Sequence, residues 1–527
     1  MLNMKNFKIA LFAVTVSLFA SCDDAIDITQ PSELLPENTF ETVQDLELGL
    51  NGVYGNVPGE NHIYFTSLFT DEVAIGISNG GQGMSGELAF QLNSNSGDAA
   101  SIWVSHYQVI NSANRLLEGA ALVSVEPGSA DEVNKNDILA QARALRAFAH
   151  FQLLTFFSAD LKNDNSLGVI AVDFVPESNA QLPRNTTGEV FALIESDLAF
   201  ADENLEQLSA TAQLTDKYLI DRNTILALRA RMAAYRGNYT AAKGYVDQLD
   251  AVYGLTNKAN YSAIWLDQQG SATPSTATGP TAPPTGASEV IWALDRANNG
   301  GTGNWAQYWS SVNSTVFGSP FLEVNRALFN QVNILPDLPN GSAADVRKYV
   351  IVDISARDEG TILEDYMSVS EQEYVNGDIL PVGKYPRSEN QELLADVKVF
   401  RFSEMVLIRA EYYASIGDFT GVAAEINAIR FARHGNVSGN VGVPANAEAA
   451  WALILNERRI ELAFEGHRYV DLRRLGSLAG GVGVQRDPRD CAFNGFCTLS
   501  STDYRFVLPI PRSETTANNS IQQNTGY

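Results

Sequence analysis

Residues Ile225 to Leu249 read ILALRARMAAYRGNYTAAKGYVDQL, and residues Met405 to Ile429 read MVLIRAEYYASIGDFTGVAAEINAI. In both, a small residue (Ala230, Ala410) stands seven positions before a glycine (Gly237, Gly417). An aromatic residue (Tyr239, Phe419) follows two positions after it, and a small or β-branched one (Ala242, Val422) three further on. This is the helix-turn-helix spacing of a tetratricopeptide repeat: alanine lets helices approach, glycine makes the turn, and the aromatic packs behind it. The copies lie 180 residues apart, so they form no tandem array, and long insertions interrupt the repeats. Two unrelated helical hairpins remain the alternative.

Helical periodicity extends beyond the two copies. From Gln141 to Phe157, Ala142, Leu145, Ala149, Leu153 and Phe156 recur at steps of three and four. The insertions differ in kind. Ile75 to Gly97 is rich in Gly, Ser and Asn and reads as a long surface loop. Gly270 to Ser288 is rich in Pro, Thr, Gly and Ala and packs no core. Glu289 to Leu294 is a short apolar run with strand character. Asn298 to Ser314 is rich in Gly and Asn yet carries Trp305, Tyr308 and Trp309, an unusual load for a loop.

The N-terminus carries an address. Lys5 and Lys8 precede an apolar run from Ile9 to Phe19, too short to span a bilayer, which reads as a cleaved signal over residues 1–21. Ala20-Ser21 directly before Cys22 form a bacterial lipobox, with Cys22 as the lipidated first residue of the mature chain. An ordinary secretory signal with an incidental cysteine is the alternative. No later stretch is long and apolar enough to cross a membrane, so the expectation is an anchored protein. The other cysteines, Cys491 and Cys497, are expected to close a loop as a disulfide outside the cytosol; two buried thiols are the alternative. Their spacing is not that of a zinc knuckle, and no histidine pair lies nearby.

Formal charge is −26. Loss of the signal removes two lysines and no acids, leaving −28 for the mature chain. Such a surface excludes nucleic acid as a partner and argues against strongly anionic ligands. An apolar fraction of 45% gives ample core.

Several separated motifs then match one family in order. They are Leu50-Asn51-Gly52-Val53-Tyr54; Trp103, Tyr107, Ile110 and Asn114; Leu145-Arg146-Ala147-Phe148 with Phe151; and Arg184, Ile194, Asp197 and Leu198. Val399-Phe400-Arg401-Phe402 leads on to Ile408-Arg409-Ala410-Glu411. Most specific are Asn456-Glu457-Arg458-Arg459-Ile460-Glu461-Leu462 with Glu465-Gly466-His467-Arg468 and Asp471-Leu472, and the chain end, Leu508-Pro509-Ile510-Pro511 through Gln523-Asn524-Thr525-Gly526-Tyr527. Along nearly its whole mature length the sequence resembles the SusD/RagB family of outer-membrane nutrient-binding lipoproteins. It departs from the family pattern at Thr525, where proline is usual, and after Phe157, where Gly-x-x-Pro-Leu is common.

The resemblance implies a mainly α fold, with a tetratricopeptide-like helical-repeat scaffold on one side and a loop-rich, irregular ligand-binding face on the other. It divides the mature chain into an N-terminal region, residues 22–220, and a C-terminal region, residues 221–527, with inserted loops at 270–320 and the late repeat. It implies a SusC-like TonB-dependent transporter as partner and an oligosaccharide as ligand, with a peptide as the alternative. Asp23 and Asp24, directly after the anchor, resemble the surface-export signal of Bacteroidetes lipoproteins. The expected location is therefore the outer membrane, anchored through Cys22 and facing the exterior.

The residues point to binding, not catalysis. The five histidines sit in no catalytic motif, and neither Gly-x-Ser-x-Gly nor His-Glu-x-x-His is present. Gly80-Gly81-Gln82-Gly83 lacks the lysine of a phosphate loop. No cofactor or metal is implied. Glu457 to Arg474, read as one charged helix, offers the carboxylate pairs of a glycosidase. Its arginines and the apolar Ile460 and Phe464 favour an ion-paired packing helix, with Arg468 reaching Asp471 at i,i+3.

Binding a neutral glycan needs flat aromatic faces for the C–H side of sugar rings and fixed amide groups for the hydroxyls. Trp305, Tyr308 and Trp309, flanked by Asn304 and Gln307, have that chemistry, and Asn79 and Gln82 of the earlier loop add hydrogen-bonding groups. The same aromatics are also suited to covering the core or meeting the transporter. Trp103 and Trp292 stand at core spacing, and Trp265 fits either role.

Overall fold

The computed structural model describes residues 39–76, 86–208, 217–265, 289–296, 322–333, 345–352, 380–491 (apart from 381, 386, 389–390 and 393–394) and 496–527. These residues are mainly helical. The N-terminal part holds α1 (Val43–Gly55), α2 (Glu60–Phe69), strand β1 (Val73–Ile75), α3 (Gly97–Ala120), α4 (Ala130–Phe157) and α5 (Thr187–Asn204). The first hairpin follows as α6 (Arg222–Tyr235) and α7 (Tyr239–Leu249). Then come β2 (Val290–Leu294), β3 (Leu322–Val324), α8 (Arg326–Asn333), α9 (Lys348–Ile351) and the two-residue strands β4 (Arg387–Ser388) and β5 (Gln391–Glu392). Strand β6 (Val397–Arg401) leads into the second hairpin, α10 (Phe402–Ser415) and α11 (Phe419–His434). The chain closes with α12 (Ala447–Glu461), α13 (Arg468–Leu475), β7 (Val484–Gln485), α14 (Pro488–Cys491), β8 (Thr498–Leu499) and α15 (Arg512–Ala517).

Polar residues start the helices where the sequence places them. Thr42 and Thr186 make reciprocal capping boxes with Asp45 and Glu189, and Asp221, Asn238, Asp418 and Asn446 each accept from a first-turn amide. Helix α4 is buried on every side from Ala140 to Phe157 except at Arg143, because α3, α5 and α1 surround it. Trp103 and Trp292 are core residues, and Trp265 joins them at 2% exposure. The described strands form four antiparallel two-stranded ladders, β1–β3, β2–β6, β4–β5 and β7–β8. One buried apolar cluster runs through both parts of the chain.

The two hairpins are neighbours in space despite their separation in sequence. Gly237 and Gly417 turn at φ of +76° and +77°, a region glycine enters at little cost. Helix α7 packs against α10. Across that seam Arg409 reaches Asp250 at 2.5 Å; on α7, Tyr239 also meets Trp451 of α12 at 5.6 Å between ring centroids.

Two sequence expectations need correction. Glu457 to Arg474 is not one helix: α12 ends at Glu461, and α13 begins at Arg468 after Phe464 (φ +60°) and Gly466 (φ +84°). The described part of Ile75–Gly97 is not simply surface loop either. Residues Glu87–Ala89 form a 3-10 turn, and Leu88, Ala89, Phe90 and Leu92 are buried.

Candidate functional site

The family motifs converge on buried polar struts. Arg146 of α4 donates to both carboxylate oxygens of Asp197 on α5, at 2.8 and 2.6 Å, and to Asn114 of α3 at 2.6 Å. His150, one turn on, donates from Nδ1 to the Arg146 carbonyl at 3.0 Å and accepts from the Val172 amide at 3.2 Å. Burial pushes its pKa down to about 3. Arg184 donates to the Gly168 and Gln522 carbonyls and to Asn524 Oδ1. Asn524 in turn donates to Phe157 and Leu508, tying the end of the chain to the end of α4.

The charged segment around α12 is a second such network. Glu461 accepts from Arg433 at 2.8 Å, Arg401 at 3.0 Å and Arg347 at 3.2 Å. Burial opposes its charge, yet these guanidiniums hold its carboxyl well below the usual range. Glu465 pairs with Lys384 and Arg401 at 2.8 and 2.7 Å and is likewise lowered against burial. A glycosidase needs one carboxyl raised to serve as acid, and these two are shifted the opposite way. Arg468 does not pair with Asp471; it holds Asp71, at 2.8 and 3.0 Å. Asp471 instead accepts from Arg458 and Arg474.

Asp71 and Glu72 lead directly into the part of the molecule that carries the long insertions. In the β1–β3 ladder, Ile75 is the partner of Leu322, Ala74 of Glu323 and Val73 of Val324. The Val324 amide donates to the Leu380 carbonyl at 2.7 Å, and the Leu380 amide to Glu323 Oε2 at 3.1 Å. Three insertions therefore have their roots here. Residues 77–85 follow β1, residues 297–321 precede β3, and residues 353–379 precede Leu380.

Buried ion pairs fix this floor. Asp490 of α14 accepts from the Arg326 amide at 2.6 Å and from its guanidinium at 2.7 Å, and Arg326 also reaches Glu323 at 3.0 Å. Arg486 donates to the Thr70, Leu68 and Leu88 carbonyls. Cys491, next to Asp490, is joined to Cys497 as a disulfide, with Cα atoms 5.2 Å apart.

The other sequence-derived site residues, Cys22, Asn79, Gln82, Asn304, Trp305, Tyr308 and Trp309, lie outside the described residues. What spacing rules missed is the common root of their segments, because strand partners 247 residues apart (Ile75 and Leu322) leave no local signal. Among the described residues no group of three or more His, Cys, Asp or Glu side chains is arranged to hold a metal ion, and no helix is long and apolar enough to cross a membrane.

Comparison with known proteins gives the class. Residues 357–527 match the model of the SusD family, and residues 23–233 match one described as starch-binding, associating with the outer membrane. The chain belongs to the SusD/RagB family. It is similar to two SusD-like proteins of Formosa agariphila. One is 24% identical over 99% of this chain and 100% of that one; the other is 22% identical over the full length of both. Among solved structures, a SusD superfamily protein of Bacteroides thetaiotaomicron superposes with a TM-score of 0.71 at 22% identity, over 92% of this chain and 99% of that one. A SusD-like carbohydrate-binding protein of Bacteroides vulgatus gives 0.64 at 18%, over 92% and 98%. At these identities the structural likeness speaks for the fold.

Proposed function

We propose that this protein is a cell-surface lipoprotein that captures an oligosaccharide and delivers it to a SusC-like TonB-dependent transporter. Membership of a family described by starch binding and outer-membrane association supports the reading. The observation that carries it is the pairing of Ile75 with Leu322. It roots the segment containing Asn79 and Gln82 beside the segment containing Asn304, Trp305, Tyr308 and Trp309, on a floor held by buried ion pairs. Aromatic faces take the C–H side of sugar rings, and amides fix hydroxyls. The chain binds its ligand without cleaving it, and Cys22 keeps it at the membrane.

Trp309→Ala tests the site. The variant is expected to bind the cognate glycan about tenfold to a hundredfold more weakly by calorimetric titration, the loss of one stacked ring. Its melting temperature should stay that of the parent. Unchanged affinity with a lowered melt would make these aromatics a cover over the core.

A further inference from the structure

We propose that a buried pocket between the N-terminal helices and the second half of the chain binds a small monovalent anion of the size of chloride. The inference stands apart from the glycan reading. The pocket holds about 30 Å³, room for roughly two water-sized occupants. Its polar walls come from distant parts of the chain: His62 of α2, Gln152 of α4, Arg231 of α6, Lys398 of β6, and Glu465 and His467 between α12 and α13.

Buried donors line this space with capacity left over. Arg231, 5% exposed, gives Nε and Nη2 to Glu404 at 2.7 and 2.6 Å and Nη2 also to the Val399 carbonyl. Its Nη1 has no hydrogen-bond partner among the described residues, and its guanidinium is fixed 4.0 Å from the Phe400 ring centroid. The Gln152 amide, on a residue 7% exposed, makes no hydrogen bond among the described residues. His467 is 6% exposed, and Glu404 lies 4.0 Å from its Nδ1, beyond hydrogen-bond reach. His62 Nδ1 is buried without a partner. Donors held out of water and left unmade cost free energy, and an acceptor bound among them removes that cost.

The sign of the occupant follows from the charges around it. Burial pushes both imidazoles down, His62 to about 4 and His467 well below its ordinary value, and at His467 the guanidiniums of Arg231, Arg458, Arg474 and Arg401 add to the effect. Both rings are therefore neutral at ordinary pH, each with one N–H to donate. A field that opposes a proton at His467 favours an anion beside it. The neighbouring acids are engaged elsewhere. Glu465 accepts from Lys384 and Arg401 on one oxygen and from Arg401 on the other, and Glu60 turns to Arg296 at 2.9 Å. Tyr235 and Val470 wall this pocket and also an outer cleft of about 230 Å³, which carries Lys162, Arg473 and Arg474 against one acid, Asp160. That cleft is a positively charged approach from solvent.

Crystals of the mature chain soaked in sodium bromide test the site, since bromide replaces chloride and scatters anomalously. A bromide peak is expected in the pocket, within contact of Arg231 and Gln152, and absent from Gln152→Leu. In solution an ion bound only by the folded chain stabilises it. The parent should therefore gain about 2 °C in melting temperature on Gln152→Leu as sodium chloride replaces sodium gluconate at constant ionic strength. Gln152→Glu carries the test if the leucine variant folds poorly. Its carboxylate takes the anion's place beside Arg231, so it should show no chloride response and melt no lower than the parent in gluconate. A pocket that holds water alone gives no bromide peak, and Gln152→Glu then melts well below the parent, as a buried carboxylate without a partner. Either result overturns the site, and so does an equal chloride response in parent and Gln152→Leu.

Discussion

Glu461 distributes one carboxylate among Arg347, Arg401 and Arg433, all buried; Glu289 accepts from both Arg401 and Arg433, and Glu465 from Arg401. Such a cluster adds little net stability when intact, but removing one member strands the others without water. Glu461→Gln is therefore expected to cost about 3–5 kcal/mol in denaturant unfolding. A loss well under 1 kcal/mol would mean the network relaxes or admits solvent. Glu72 gives a pH signature. It accepts from Ser67 and from the Phe464 amide, and burial raises its carboxyl to about 7. The unfolded chain ionises it near its ordinary value, so its contribution to stability is full below about pH 4.5 and lost as pH rises through 7. Buried His62, lowered to about 4, acts oppositely: its contribution is present above about pH 6.5 and is lost as pH falls through 4. Glu72→Gln isolates the first effect. The variant should gain on the parent progressively between pH 4.5 and 7, to a difference on the order of 3 kcal/mol at pH 8. A pH-independent difference between the two melting curves would show that Glu72 is ionised in the fold. These partners were hidden in the sequence for a simple reason. Spacing rules see i,i+3 and i,i+4, whereas Arg468 finds Asp71, 397 residues away.

At the scale of elements, what repeats locally was legible and what depends on partners was not. Ala230 and Ala410, with their glycines and aromatics, marked both hairpins. The packing of α7 on α10 depends on chain geometry that no local spacing encodes. The break between α12 and α13 was missed because charged residues at helical spacing continue across it. Gly466 was the available sign. Its φ is +84°, and an added Cβ would lie 3.0 Å from His62 Cδ2 and 3.4 Å from Ile63 Cγ1. Gly417 has φ +77° with nothing within 4 Å of such an atom. Comparing the two separates strain from crowding. Gly417→Ala should cost about 1 kcal/mol, the backbone term alone. Gly466→Ala should cost more, about 2–3 kcal/mol, since His62 and Ile63 must also give way. Equal costs at both positions would assign the whole penalty to the backbone.

At the scale of the molecule, the proposed site is a reading of residue types, and the neighbouring roots of its two segments were not legible in them. Trp305, Tyr308, Trp309 and their amide neighbours stand out by composition in a Gly/Asn-rich stretch, while Asn79 and Gln82 lie more than two hundred residues earlier. Only the β1–β3 pairing brings the roots of the two segments together. The fold also limits what the protein does alone. On the proposed reading the chain is anchored by one lipid at Cys22, and among the described residues no helix is long and apolar enough to cross a membrane. In that reading uptake is carried out by a membrane-spanning partner, and the lipid would keep the protein near it by raising its local concentration. Cys22→Ser separates the two contributions. The variant should leave the membrane fraction when expressed alone. Expressed with its transporter, part of it should still be recovered when the transporter is purified in mild detergent, as a complex with a large β-barrel protein. Full retention of Cys22→Ser in the membrane without the transporter would rule out the lipid anchor. Its absence from the purified transporter, where the parent is present, would show that the anchor and not a protein interface holds the pair together.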